Sequence, residues 1–284
     1  MINHFVPKNL AEALRILNEH NCYIMNGGTD LMVQKHVSTG LLPNFDKDVL
    51  YINNLQELNY INVDKDKNVH IGSATRYVQI ENSKLVPYIY KDVIKEIASP
   101  NIRNMATLSG NIANASPAGD SLVPLVLLDA KVLLVSVNGE REVLVRDFVY
   151  GVRKIDRKEN ELIKEIILPP FDLKLSYRKV GSRKSESITK VSFLGGVKVE
   201  KGIIKDFRIA FGSVAIKTVR NLEVEHKYIG KKYSEIDVEE VVKDYSPLVT
   251  PITDQRSNKE YRHKVAMNLL KKFVNKIKEG GFNE

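Results

Sequence analysis

The chain has 284 residues, 43% hydrophobic and 27% charged, enough apolar material for about two cored domains and too much for a disordered chain. Its formal net charge is +8, but the basic residues are spread along the chain. The densest runs, Arg178-Lys179 with Arg183-Lys184 and Lys271-Lys272, are short and lack interleaved aromatics, which argues against a nucleic-acid surface and leaves an acidic partner or an anionic cofactor.

Met1 to Pro7 is not a basic-then-apolar leader, and no segment reaches the roughly 20 apolar residues of a membrane span; a soluble, cytoplasmic protein is expected. Leu10, Ala13, Leu14 and Leu17 recur at helical spacing over Asn9–Glu19. The single cysteine, Cys22, excludes an internal disulfide or a resident iron–sulfur cluster and reads as a small buried residue. Tyr23-Ile24-Met25 is a strand running into Asn26-Gly27-Gly28, and a short helix begins after Asp30. Val49–Ile52 and Val69–Gly72 are strands. Thr75 and Arg76 lead into a helix through Val78, Ile80 and Leu85, and Tyr90–Ala98 is a second helix, stopped by Pro100.

Ser99–Asp120, rich in small polar residues, reads as a long loop. Leu122–Ala130 is apolar and buried. Lys131–Val137 and Glu142–Val145 read as a hairpin on a type I′ Asn138-Gly139 turn. Leu162–Leu168 is a strand closed by Pro169-Pro170, the expected linker. Beyond it Leu175–Val180, Val191–Val199 and Ile204–Phe211, with a turn at Gly202, form an antiparallel meander, and Val238–Val242 and Tyr261–Ile277 are helical. The second half is thus a small sheet covered by helices.

Four constellations can carry chemistry. Met25-Asn26-Gly27-Gly28-Thr29-Asp30 joins a strand end to paired glycines, whose bare backbone can cradle a pyrophosphate or simply turn the chain; it lacks the three spaced glycines of the Rossmann fingerprint. Thr107 to Asp120 is dense in hydroxyl and amide side chains. Asn111 and Ser116 can bond a polar ligand and Asp120 can accept from sugar hydroxyls, or the loop bonds to itself. Tyr177-Arg178-Lys179 with Arg183 offers cations to an anionic ring, or a solvated strand face. Asp254-Gln255-Arg256 before Tyr261-Arg262 reads as a capped helix start.

Together these pieces resemble the FAD-binding (medium) subunits of the xanthine dehydrogenase and carbon monoxide dehydrogenase family of molybdenum hydroxylases. The family's AGGTDL appears as Asn26-Gly27-Gly28-Thr29-Asp30-Leu31, and its T-x-GGNIA-x-ASPAGD runs from Thr107 to Asp120. Ile71-Gly72-Ser73-Ala74-Thr75, Tyr177-Arg178-Lys179-Val180 with Arg183, Phe211-Gly212-Ser213-Val214-Ala215 and Asp254-Gln255-Arg256 extend the match along essentially the whole chain. Asn26 replaces an alanine, and Ser109 the first glycine of GGN.

The resemblance implies an α+β fold. An FAD-binding domain over 1–170 (PCMH-type, vanillyl-alcohol-oxidase-like) has subdomains at about 1–55 and 56–170, and a smaller α+β domain with an antiparallel sheet and helices spans 171–284. It maps FAD contacts onto Met25, Asn26, Gly27, Gly28, Thr29 and Asp30, onto Ala106, Thr107, Ser109, Gly110 and Asn111, and onto Asp120, Leu168 and Lys179. It further implies a molybdopterin-carrying large subunit, a [2Fe–2S] small subunit that feeds electrons to the flavin, and NAD⁺ or another acceptor. No catalytic acid–base residue or metal ligand is expected in this chain. The rival readings are a stand-alone flavin oxidoreductase of related fold and a flavin-free basic interaction module.

Overall fold

The computed structural model describes residues 2–184 and 186–282; the outer limits of the two expected domains, residues 1 and 284, lie outside the described residues. The chain divides into two compact units, Met1–Ala115 with Asp129–Pro170, and Ser116–Leu128 with Phe171–Glu284.

The first unit opens with β1 (His4–Phe5) and α1 (Leu10–Glu19). Asn9 is extended and its side chain accepts the Glu12 N–H at 2.8 Å, capping the helix. Ala13, Leu14 and Leu17 are buried with Cys22, Leu50 and Leu58, each leucine worth about 1.5–3 kcal/mol of burial. Next come β2 (Cys22–Met25), α2 (Leu31–Gln34) and β3 (Asp48–Tyr51). Both β1 and β2 pair with β3 in parallel, so the three strands end at one edge. Parallel sheets present ligand-binding loops at that edge, and Asn26–Asp30 leaves from it.

β4 (Ile61–Val63) and β5 (Val69–Gly72) are followed by α3 (Tyr77–Asn82), α4 (Tyr88–Lys95), α5 (Pro100–Arg103), α6 (Leu108–Asn114) and α7 (Leu122–Leu127). All six residues of α7 are buried. A helix apolar on every side needs cover all round, which explains why Ser116–Leu128 groups with the C-terminal part. The chain returns to the first unit through β6 (Lys131–Ser136), β7 (Gly139–Leu144), α8 (Val145–Phe148), β8 (Val149–Gly151), β9 (Lys154–Ile155) and β10 (Leu162–Leu168). β6, β7 and β10 complete an antiparallel sheet of order β4-β5-β10-β6-β7, and β8 pairs with β9 in a separate ribbon. Ile71, Val132, Leu134, Leu162 and Ile166 are fully buried on its strands.

Four local expectations are corrected. α4 ends at Lys95, and Pro100 does not stop it but starts α5, with Ser99 as cap; proline is well suited to a first helical position because that N–H has no intrahelical partner. Ser99–Asp120 is not one irregular loop, since α5 and α6 occupy half of it. The β6–β7 turn lies at Val137-Asn138, and only Gly139 takes a positive φ (130°). Ser136 Oγ accepts the Asn138 N–H at 3.2 Å and holds the turn one residue earlier than a type I′ turn requires. α3 stops at Asn82, leaving Leu85 outside it and exposed.

In the second unit β11 (Lys174–Val180), β12 (Val191–Glu200) and β13 (Ile203–Gly212) form the expected antiparallel meander, with Gly202 in the turn at φ 79°. α9 (Leu222–His226), α10 (Val238–Tyr245) and the 20-residue α11 (Lys259–Lys278) complete it. Phe193 and Phe207 of the sheet lie 5.6 and 6.3 Å from the Phe273 ring of α11, and Phe211 lies 6.1 Å from Tyr245 of α10. Asn258 caps α11, and Asp254 pairs with the buried Arg262 at 2.8 Å, so that motif serves the helix start. No described helix is long and apolar enough to cross a membrane.

Candidate functional site

At the end of β2 the two glycines do different work. Gly28 has φ 68°, a region that costs an L-residue about 1–2 kcal/mol. Gly27 is dictated by its neighbour: a Cβ there would lie 2.0 Å from the Met105 carbonyl oxygen and 3.0 Å from Ala106 Cα. Gly28 turns the chain, and Gly27 lets the backbone of 105–106 pass directly against it.

That second segment is a helix start. Ala106 is buried; its N–H donates to the Ile102 carbonyl at 2.8 Å and its carbonyl accepts from Tyr77 N–H at 2.9 Å. Thr107 is the extended N-cap of α6, and its Oγ1 accepts the Gly110 N–H at 3.1 Å. Ser109, Gly110 and Asn111 belong to the helix, so serine in place of the family's glycine carries no backbone strain. The Leu108 and Ser109 amides have no intrahelical acceptor and carry the positive end of the local dipoles.

Both segments are fastened to Ser73, in the turn after β5. Its carbonyl accepts from Asn26 Nδ2 at 2.5 Å and from Ser109 Oγ at 2.7 Å. Asn26 Nδ2 and Ser109 Oγ are 3.5 Å apart, and Ser109 Oγ is 3.2 Å from Thr107 Oγ1. Among the described residues, Ser73's own hydroxyl is buried without a hydrogen-bond partner.

A second fastening lies at the far end of α6. Asp30 accepts from Gln34 and, at 3.3 Å, from Arg153. Asn114 Oδ1 accepts from the same two side chains at 3.2 and 2.6 Å, and the Arg153 N–H donates to the Ala115 carbonyl at 3.0 Å. The first loop and α6 are therefore held together at both ends of the helix.

Of the expected residues, Met25 packs with Phe45 and Val49 beneath the loop, and Thr29 is partly buried. Leu168 is buried at the end of β10 opposite Val69, outside this hydrogen-bond network. Asp120 and Lys179 lie in the second unit and bind each other: Lys179 Nζ is 2.9 Å from Asp120 Oδ2, and Thr189 Oγ1 donates to Asp120 Oδ1 at 2.5 Å. Both charged side chains are over nine-tenths buried. Burial pushes the Asp120 carboxyl up, against the opposing pull of Lys179 and Thr189. Arg178 and Arg183 are exposed, and Arg183 donates to the Glu186 carbonyl.

Ser73, Met105, Asn114 and Arg153 have structural roles here that no local sequence pattern marks. Ser73 lies within the Ile71–Thr75 segment of the family match, and Arg153 carries no local signal.

This arrangement suits a pyrophosphate-bearing ligand such as a flavin dinucleotide. It combines a glycine turn free of side-chain bulk, the capped first turn of α6 and an orphaned buried hydroxyl at Ser73, and the unmade bond of such a hydroxyl costs about 1–3 kcal/mol.

Comparison with known proteins points the same way. Residues 1–171 match the family model described as the FAD binding domain in molybdopterin dehydrogenase, and residues 176–277 that of the CO dehydrogenase flavoprotein C-terminal domain. The glyceraldehyde dehydrogenase medium chain of Sulfolobus acidocaldarius is 32% identical, over 95% of this chain and 96% of its own. The xanthine dehydrogenase FAD-binding subunit of Escherichia coli O157:H7 is 28% identical, over 93% and 92%. A solved chain of CO dehydrogenase from Oligotropha carboxidovorans shares the fold with a TM-score of 0.87, at 22% identity and over 98% of both chains. The α+β expectation of an FAD-binding domain followed by a domain with helices and an antiparallel sheet therefore holds, and the chain belongs to the family of FAD-binding flavoproteins of the molybdopterin dehydrogenases.

Proposed function

We propose that this chain holds FAD as the electron-transfer subunit of a molybdenum hydroxylase complex. In this reading a molybdopterin-carrying large subunit oxidises the substrate, a [2Fe–2S] small subunit relays electrons to this chain, and NAD⁺ or another acceptor removes them. The observation that carries it is the crossing of Gly27 over Met105-Ala106, which brings two glycine-containing segments into one cradle.

A bound flavin supplies the exchange of single electrons for pairs. The chain's own residues bind and orient it. The 26–30 turn and the α6 start offer backbone donors, and Thr107 and Ser109 hold the helix start in place. Asp120, Leu168 and Lys179 are carried in the proposal as further cofactor-binding residues through the family resemblance. No side chain is assigned a proton-transfer role.

Two measurements test this. The purified chain titrated with FAD turns yellow at one flavin per chain; a colourless chain at saturating FAD defeats the proposal. The native complex copurifies with molybdenum and iron and reduces a dye with NADH. A lone chain that turns over an organic substrate by itself would instead favour a stand-alone oxidoreductase.

A further inference from the structure

The family pattern places alanine and glycine where this chain has Asn26 and Ser109, and both substitutions address one acceptor. The Ser73 carbonyl accepts from the Asn26 amide at 2.5 Å and from the Ser109 hydroxyl at 2.7 Å, using both of its lone pairs. Asn26 lies directly after β2 and Ser109 in the first turn of α6, 83 residues apart in sequence. Ser73 is anchored in turn: its N–H donates to the Lys164 carbonyl at 2.9 Å.

We infer that Asn26 and Ser109 form a coupled latch, closing on the Ser73 carbonyl, that sets the spacing of the two pyrophosphate-binding segments in this protein. The inference rests on the FAD reading above. Both are positioning residues. Asn26 pins the start of the glycine turn and Ser109 pins the helix, and at this end of α6 the spacing is defined only while both bonds are made. Once one is lost, the other fixes its own segment but no longer the distance between the two. Among the described residues, the buried Ser73 hydroxyl at the same anchor has no hydrogen-bond partner.

The test is a double-mutant cycle on the full chain. FAD dissociation constants are measured by flavin fluorescence for wild type, Asn26→Ala, Ser109→Ala and the double variant, with the apo-protein's thermal midpoint recorded for each. Losing one hydrogen bond worth about 1 kcal/mol weakens FAD about fivefold. The latch predicts that each single variant shows this loss and that the double variant stays within about twofold of the weaker single. Asn26→Asp, which keeps the shape but removes the donor, weakens FAD at least as much as Asn26→Ala and serves where the alanine variant fails to fold. Losses that multiply in the double variant overturn the latch, as does a lowered apo midpoint with unchanged FAD affinity. Failure of the wild-type chain to take FAD overturns the cofactor reading instead.

Discussion

Replacing Gly27 with alanine tests the loop crossing directly. The new Cβ would sit 2.0 Å from the Met105 carbonyl oxygen and 2.7 Å from its carbon, so one backbone must retreat by more than about 1 Å to reach ordinary contact. Neither segment is free to do so. Ala106 is bonded to Ile102 and Tyr77, and Asn26 to Ser73. Overpacking of this kind costs about 1–3 kcal/mol. Taken from a cradle whose halves must stay in register, that becomes a loss of about 5- to 150-fold in FAD affinity. Gly28→Ala provides the internal comparison. Its nearest neighbours would be Met32 Cγ at 3.4 Å and Met25 Sδ at 3.5 Å, both ordinary contacts with side chains, so only the backbone strain at φ 68° remains. That strain is about 1–2 kcal/mol, or about 5- to 30-fold. The assay is FAD titration of the apo-protein followed by flavin fluorescence, with the apo thermal midpoint recorded for each variant. Gly27→Ala binding FAD as tightly as wild type, or Gly28→Ala proving the more damaging, would refute the argument.

Three further outcomes follow from named contacts. Thr107→Ala removes the acceptor for the Gly110 N–H and costs about 1 kcal/mol of helix-start stability; the apo thermal midpoint drops and FAD weakens, and an unchanged midpoint contradicts the capping role. Lys179→Met removes the cation from the buried Asp120 carboxylate and leaves it the Thr189 hydroxyl, a loss of about 3–5 kcal/mol in urea unfolding that a second change, Asp120→Asn, largely recovers; absence of that recovery speaks against the ion pair. His70 sits between Glu165 at 2.8 Å and Asp64 at 3.1 Å. Burial alone would lower its pKa, but the two carboxylates more than offset this and raise it above 6.5. A group whose folded pKa is raised stabilises the fold below its unfolded pKa and loses that contribution as pH rises through the folded value. The thermal midpoint therefore declines as pH rises above about 6.5, and His70→Gln flattens the decline; the same slope in both proteins counts against the network.

Much of the architecture was readable locally. Apolar periodicity marked α1, and alternation and turn residues marked the second-unit meander, because a helix stripe and a sheet face are properties of adjacent residues. α6 was not readable that way. Ser109, Gly110, Asn111 and Asn114 are weak helix formers, and the segment is helical because Thr107 caps it while Leu108 and Ile112, one turn apart, are buried and α6 packs against β10. Pro100 is ambiguous for a related reason, since the same residue ends one helix or begins another according to what caps it.

The family membership and the identity of the two ligand-loop motifs were determined by the sequence alone, because they rest on residue types in order. Which partner each of those residues meets was decided only by the tertiary structure. Gly27 is required by Met105, Asn26 and Ser109 meet at Ser73, and Asp120 faces Lys179. Those pairings join residues tens of positions apart, and hydrogen bonds and steric contacts act over a few ångströms in space. The glycine turn is thus one side of a packed junction, and the two departures from the family pattern, Asn26 and Ser109, are two donors to one carbonyl.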